Sequence, residues 1–200
     1  VSISYKTVEN YCKSVSPTIQ ALLEFYPYEL SDTIAADETY IKILGKTAYI
    51  FFYFDAIKKI VTSYRVFDNS LKVISDGNPI YNVAVQYWCQ NGLPFELYQV
   101  IGLTNLDETS KEYRSQKQII ERFNRTLKYY YRPKGGFSSL DNANNYMVLF
   151  ATYNNFLRPN KALNYETPVV LEELKDIPNM PNKWLELIRL ACKYAEPYSE

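Results

Sequence analysis

The stretch Ala35-Ala36-Asp37-Glu38-Thr39-Tyr40-Ile41-Lys42-Ile43 decides how the chain is read. Strand side chains alternate between faces, so Asp37 shares a face with Thr39, Ile41 and Ile43, while Glu38, Tyr40 and Lys42 point the other way. Asp is a poor strand former, and an acid on the packed side needs a partner. The period of two covers Thr33–Leu44 and returns in Thr47–Phe54, with Gly45-Lys46 between them as a hairpin turn. A third run, Ile60–Phe67, follows the polar link Asp55–Lys59 and completes an antiparallel meander. A short apolar run, Val73-Ile74, then ends in Ser75-Asp76-Gly77-Asn78-Pro79, a break after a buried strand.

Helical spacing surrounds this β-rich stretch. Ser4 caps a helix whose apolar positions are Tyr5, Val8, Tyr11, Cys12 and Val15. Ser16-Pro17 is expected to stop it and start another, with stripe Ile19, Leu22, Leu23 and Tyr26, closed by Pro27. Downstream, Ile80–Asn91 reads as a helix ended by Gly92, and Phe95–Leu103 as a strand. Lys117–Tyr131 is the strongest helix, stopped by Pro133 and Gly135-Gly136. Ser139–Leu157 is a further helix. Pro159, Pro168, Pro178 and Pro181 punctuate a tail before a last helix, Asn182–Tyr194.

Composition limits the chemistry. The 200 residues are 47% hydrophobic and 22% charged, enough for a real core. No histidine is present, which excludes imidazole bases, Ser-His-Asp and Cys-His systems and His-ligated zinc. Cys12, Cys89 and Cys192 are widely separated and read as reduced thiols of a cytosolic protein. No apolar run long enough to span a membrane occurs, so a soluble chain is expected. The chain begins at Val1 and its methionines are Met147 and Met180, so a natural N-terminus upstream is expected.

The zero net charge hides an asymmetry. Residues 111–134 hold eight Lys or Arg and two Glu, 8 − 2 = +6, leaving 14 − 20 = −6 for the remainder. Such a window can bind phosphates while the rest keeps the protein in solution. At about 100° per residue, Ile119, Ile120, Phe123, Leu127, Tyr130 and Tyr131 form the buried arc. Lys117, Glu121, Asn124, Arg125 and Lys128 form a second, exposed one. Glu121 in that stripe is either a partner in helix salt bridges or a metal ligand flanked by phosphate-binding cations. Tyr129–Tyr131 either stack on bases or pack in the core.

Three acids therefore occupy three settings: Asp37 on the first strand, Asp76 at the end of the fourth, Glu121 on the strongest helix. The segments Asp37-Glu38-Thr39-Tyr40-Ile41-Lys42, Ser75-Asp76-Gly77-Asn78-Pro79-Ile80-Tyr81 and Gln118-Ile119-Ile120-Glu121-Arg122-Phe123-Asn124-Arg125-Thr126 resemble the catalytic core of DDE transposases of bacterial insertion sequences, relatives of retroviral integrases. Phe156-Leu157-Arg158-Pro159-Asn160-Lys161-Ala162-Leu163 and Thr167-Pro168 resemble the end of that core. The family often has His where Asn160 stands.

The resemblance implies an α/β, RNase H-like mixed five-stranded sheet flanked by helices. Residues 1–30 would be the end of a helix-turn-helix DNA-binding region, 31–174 the core and 175–200 a helical tail. Asp37, Asp76 and Glu121 would be catalytic and bind two Mg2+ (or Mn2+) ions, about 3.5–4 Å apart. Oxygen donors suit these ions. Lys117, Asn124, Arg125, Lys128, Arg132 and Lys134 would bind DNA. The implied reaction is hydrolysis at transposon ends and strand transfer into target DNA, with water or a DNA 3′-hydroxyl as nucleophile. A homodimer or higher oligomer on DNA, in the bacterial cytoplasm at the nucleoid and away from membranes, goes with it. The alternatives are a catalytically inactive transposase-derived DNA-binding or regulatory protein and a free-standing RNase H-like nuclease.

One feature departs from the family. Its members place a helix between the third and fourth strands, whereas here Phe67-Asp68-Asn69-Ser70 joins the two almost directly. A parallel fourth strand beside the first needs a crossover of a dozen or more residues. A segment of about 20–40 residues is therefore expected to be missing between Val66 and Asn69.

Overall fold

A computed structural model describes residues 3–62, 71–79, 81–83, 85–86, 95–102 and 107–195. The chain packs as two units. One comprises Glu29–Lys42 and Lys46–Gly136, the other Val1–Tyr28, Ile43–Gly45 and Phe137–Glu200.

The first unit is built on five strands: β1 (Thr33–Ile43), β2 (Lys46–Asp55), β3 (Val61–Thr62), β4 (Leu71–Ser75) and β5 (Phe95–Gln99). Their order is β3-β2-β1-β4-β5. β3 runs antiparallel to β2, while β4 is parallel to both β1 and β5. This is the mixed α/β sheet expected of an RNase H-like fold. The first half of β1 is central and covered on both sides: Ile34, Ala35 and Ala36 are all buried, as a parallel inner strand requires. Further along, alternation takes over, with Thr39 and Ile41 buried and Tyr40 and Lys42 exposed.

Each face of the sheet has its own helical cover. On one side Tyr81, from the helical residues 81–83, packs with Ala36 and Val73. On the other lies α2 (Glu108–Tyr131), where Phe123 meets the rings of Phe52 and Phe54, each at 5.0 Å. The Tyr131 hydroxyl accepts the Lys42 backbone N–H at 2.7 Å and ties down the end of α2. Buried Asp55 is fully satisfied: it accepts from the Ser31 N–H and hydroxyl and from the N–H groups of Ile57 and Lys58. It fixes the exit from β2, a structural task.

The other unit is helical. α1 (Tyr5–Phe25) packs against α3 (Leu140–Thr152) and α5 (Met180–Ala195), with the short α4 (Glu172–Lys175) beside α5. Its core includes Ile19, Leu22, Phe156, Leu187 and Ala191. Tyr26 and Tyr28 lean on the Phe156 ring.

Several elements differ from the sequence reading. The two N-terminal helices are one, with Pro17 inside it and Ser4 as the N-cap. The Ser16 hydroxyl donates to the Cys12 carbonyl one turn back, and the buried side chains are Ser16 itself and, beyond Pro17, Ile19, Leu22 and Leu23. The apolar residues Tyr5, Val8 and Tyr11 are exposed. The hairpin turn is Leu44-Gly45, both with positive φ, one residue earlier than expected. α2 starts at Glu108, capped by Asp107, whose carboxylate accepts the Ser110 N–H. Residues 108–116 carry almost no apolar signal, so periodicity alone missed them. α3 passes at Tyr153–Leu157 into a π-helical turn.

The expected missing segment between Val66 and Asn69 lies outside the described residues. Of the expected third run, the described residues include β3 at Val61–Thr62, and the stretch from 63 to 70 lies outside them. β4 lies parallel beside β1, as the reading required.

Candidate active site

Asp37 projects from β1 toward α2. Its Oδ1 is 2.5 Å from the Lys117 ammonium, and its Oδ2 accepts from Asn124 Nδ2 at 2.8 Å. Lys117 and Asn124 are seven residues apart, two helical turns, and share the face that carries Ile120, Phe123 and Leu127. Both are buried, each 6% exposed. This corrects the placement of Lys117 and Asn124 on an exposed DNA-binding stripe. An aliphatic stem can lie along apolar neighbours, and here the charged end finds a carboxylate. Tyr130, placed in the buried arc, is 43% exposed.

Asp76 follows β4 directly. The register pairs Thr33 with Lys72 and Ala35 with Ile74, an offset of 39 (72 − 33 and 74 − 35). β4 ends at Ser75, and the same offset projected past the last paired residues sets Asp76 opposite Asp37. Asp76 Oδ1 accepts the Asn78 N–H at 2.9 Å, and its carbonyl accepts from Gln99 Nε2 at 3.0 Å. The turn beyond the strand is thereby fixed.

Glu121 is exposed on α2 and lines a surface pocket of about 410 Å³ together with Asp76, Asn78, Arg114, Lys117 and Gln118. Asp37 is not among its lining residues, but its ion-pair partner Lys117 is. Arg114 and Gln118 are site residues the sequence reading did not single out. Both lie on the Glu121 face by helical spacing, but Arg114 lies before the expected helix start.

The donor set is of oxygens from two Asp and one Glu, which suits a hard divalent cation. The arrangement is less direct. Among the described residues no three His, Cys, Asp or Glu side chains stand close enough together to hold a metal ion. Both oxygens of Asp37 are already engaged by Lys117 and Asn124. The surroundings are rich in acceptors, since Asn124 Oδ1 and Thr39 Oγ1 are buried without a hydrogen-bond partner. In chemistry the residues fit a divalent cation; in position, an ammonium stands at Asp37.

Of the other basic residues, Arg125, Arg132 and Lys134 are exposed. Lys128 is half-buried, its ammonium 4.3 Å from the centre of the Tyr40 ring, a cation–π contact. Tyr129 is 74% exposed and meets the edge of Tyr130.

The mixed five-stranded sheet flanked by helices is that of an RNase H-like fold. Within it, residues 107–168 match the family model described as integrase core domain. The matched segment contains α2 with Glu121 and the Arg158-Pro159 turn, whereas Asp37 and Asp76 precede it. Neither the curated proteins nor the solved structures yield a match. The similarity supports a protein of the integrase and transposase kind, for which DNA is the implied partner. Among the described residues no helix is long and apolar enough to cross a membrane.

Proposed function

We propose that the chain is a DDE transposase of a bacterial insertion sequence, hydrolysing phosphodiesters at transposon ends and transferring strands into target DNA. One observation carries this reading: Asp76 directly follows the strand that lies parallel beside the one carrying Asp37, and Glu121 lines the same pocket as Asp76. Asp37, Asp76 and Glu121 are the residues that would hold two Mg2+ or Mn2+ ions. When bound, such ions supply Lewis acidity at the phosphate and offset charge on its entering and leaving oxygens.

The chain's own residues do the rest. Arg114 and Lys117 give the pocket wall a positive component beside the acids, so a phosphodiester can approach carboxylates that would otherwise repel it. Exposed Arg125, Arg132 and Lys134, with Lys128 beside Tyr40, track the DNA backbone away from the pocket and position it without reading bases. With no imidazole in the chain, no His side chain relays the proton. Residues 1–30 then serve as the end of a helix-turn-helix region, 31–174 as the core and 175–200 as the tail. Two DNA ends call for at least a dimer, acting at the bacterial nucleoid.

A second reading has its own support. A buried Lys–Asp pair at the first acid favours a transposase-derived DNA-binding protein that no longer cuts. Nicking of an end-labelled duplex with Mg2+ separates them. The enzyme nicks, and Asp76→Ala abolishes nicking while DNA binding persists. Binding without metal-dependent nicking by the unaltered protein favours the second reading.

A further inference from the structure

We infer that Lys117 is a resident counter-cation of the acidic site, and that a divalent cation reaches Asp37 only by displacing its ammonium. The inference rests on reading Asp37, Asp76 and Glu121 as metal ligands. Its physical basis is the setting of Asp37. That carboxylate side chain is 13% exposed and its partner Lys117 7%. A buried carboxylate must be neutralised or paired, and here the pairing cation comes from the chain itself.

Three features distinguish this contact from an ordinary structural salt bridge. First, polar capacity around it is unfilled: Asn124, whose Nδ2 donates to Asp37, leaves its buried Oδ1 without a partner, and so does Thr39, two residues along the same face of β1, at its Oγ1. Second, Asp76 directly follows the strand parallel to and beside the one carrying Asp37, and Lys117 both pairs with Asp37 and lines the pocket with Asp76. Third, Lys117 also lines the pocket shared by Asp76 and Glu121. Its flexible four-carbon stem therefore has a polar space to enter once the ammonium leaves Asp37. The displaced charge stays in the site, where a DNA phosphate would meet it. Lys117 is a positioning residue that sets how readily metal loads, and Asn124 keeps Asp37 oriented during the exchange.

The test is Mn2+ binding by the full chain, followed through the free-ion electron paramagnetic resonance signal, with circular dichroism to confirm folding. Lys117→Gln removes the competing charge and is expected to bind Mn2+ at least tenfold more tightly than the unaltered protein. Lys117→Arg, which keeps the charge, is expected to show no tightening. Should Lys117→Gln fail to fold, the unaltered protein still decides: Mg2+ is expected to shift the side-chain ammonium resonance of Lys117. Mn2+ affinity equal or weaker in folded Lys117→Gln, or an unmoved Lys117 resonance while Mg2+ binds, overturns the inference. If Mn2+ binding by the unaltered protein is lost in Asp76→Asn yet not tightened in Lys117→Gln, the metal-site reading stands and only the role of Lys117 falls. Absence of Mn2+ binding in every variant overturns both.

Discussion

Asp37 on β1 and Asp76 just beyond β4 are separated by 39 positions, the same offset by which the parallel register pairs Thr33 with Lys72 and Ala35 with Ile74. The Asp37 carboxylate is held by the Lys117 ammonium and the Asn124 amide, and Asp76 accepts the Asn78 N–H.

Breaking the buried pair from one side should therefore be expensive. Lys117→Met leaves Asp37 without its cation and is expected to lower unfolding stability by about 3 kcal/mol, read as a fall in the urea midpoint. Asp37→Asn together with Lys117→Met should recover most of the loss. A double variant no more stable than Lys117→Met would show that the pair does not stabilise the fold.

Phe123 seats α2 on the sheet through Phe52 and Phe54. Phe123→Ala is expected to cost about 3–5 kcal/mol, measured by chemical denaturation. The same helix carries Lys117, Glu121 and Asn124, so the change should also loosen the site. A loss below about 1 kcal/mol would mean that α2 is held elsewhere.

The exposed cations should behave in the opposite way. Arg125→Ala and Arg132→Ala are expected to leave stability within about 0.5 kcal/mol while weakening DNA binding. Each lost phosphate contact should flatten the plot of log affinity against log salt by about 0.9. An unchanged slope, measured by fluorescence anisotropy across salt concentrations, would reduce these residues to a solvated surface.

Acid should loosen the start of α1. Glu9 pairs with Lys13 at 2.8 Å and Lys6 at 3.1 Å, and these hydrogen bonds, that from Lys13 foremost, pull its carboxyl from the ordinary 4.5 to about 2. A depressed carboxyl contributes stability above its unfolded value, and the contribution disappears as pH falls from 4.5 toward about 2. Glu9→Gln should flatten that part of the stability–pH curve. A curve of unchanged shape would leave these surface pairs without effect.

Strand positions were legible because alternation and turn chemistry are local. Thr39 and Ile41 against Tyr40 and Lys42 came out as the period of two requires. The break at Asp76 ended a strand where Gly77 and Pro79 implied it. Lys117 and Asn124 were not legible: hydrophobic spacing assigns polar residues to solvent unless their partner is known, and Asp37 is 80 residues from Lys117.

Anomalous scattering from a crystal grown with Mn2+ and a transposon-end duplex tests the central claim most directly. The account predicts Mn2+ peaks bounded by the carboxylates of Asp37, Asp76 and Glu121, with the Lys117 ammonium moved off Asp37. Bound DNA with no Mn2+ at these acids and Lys117 still on Asp37 would contradict it.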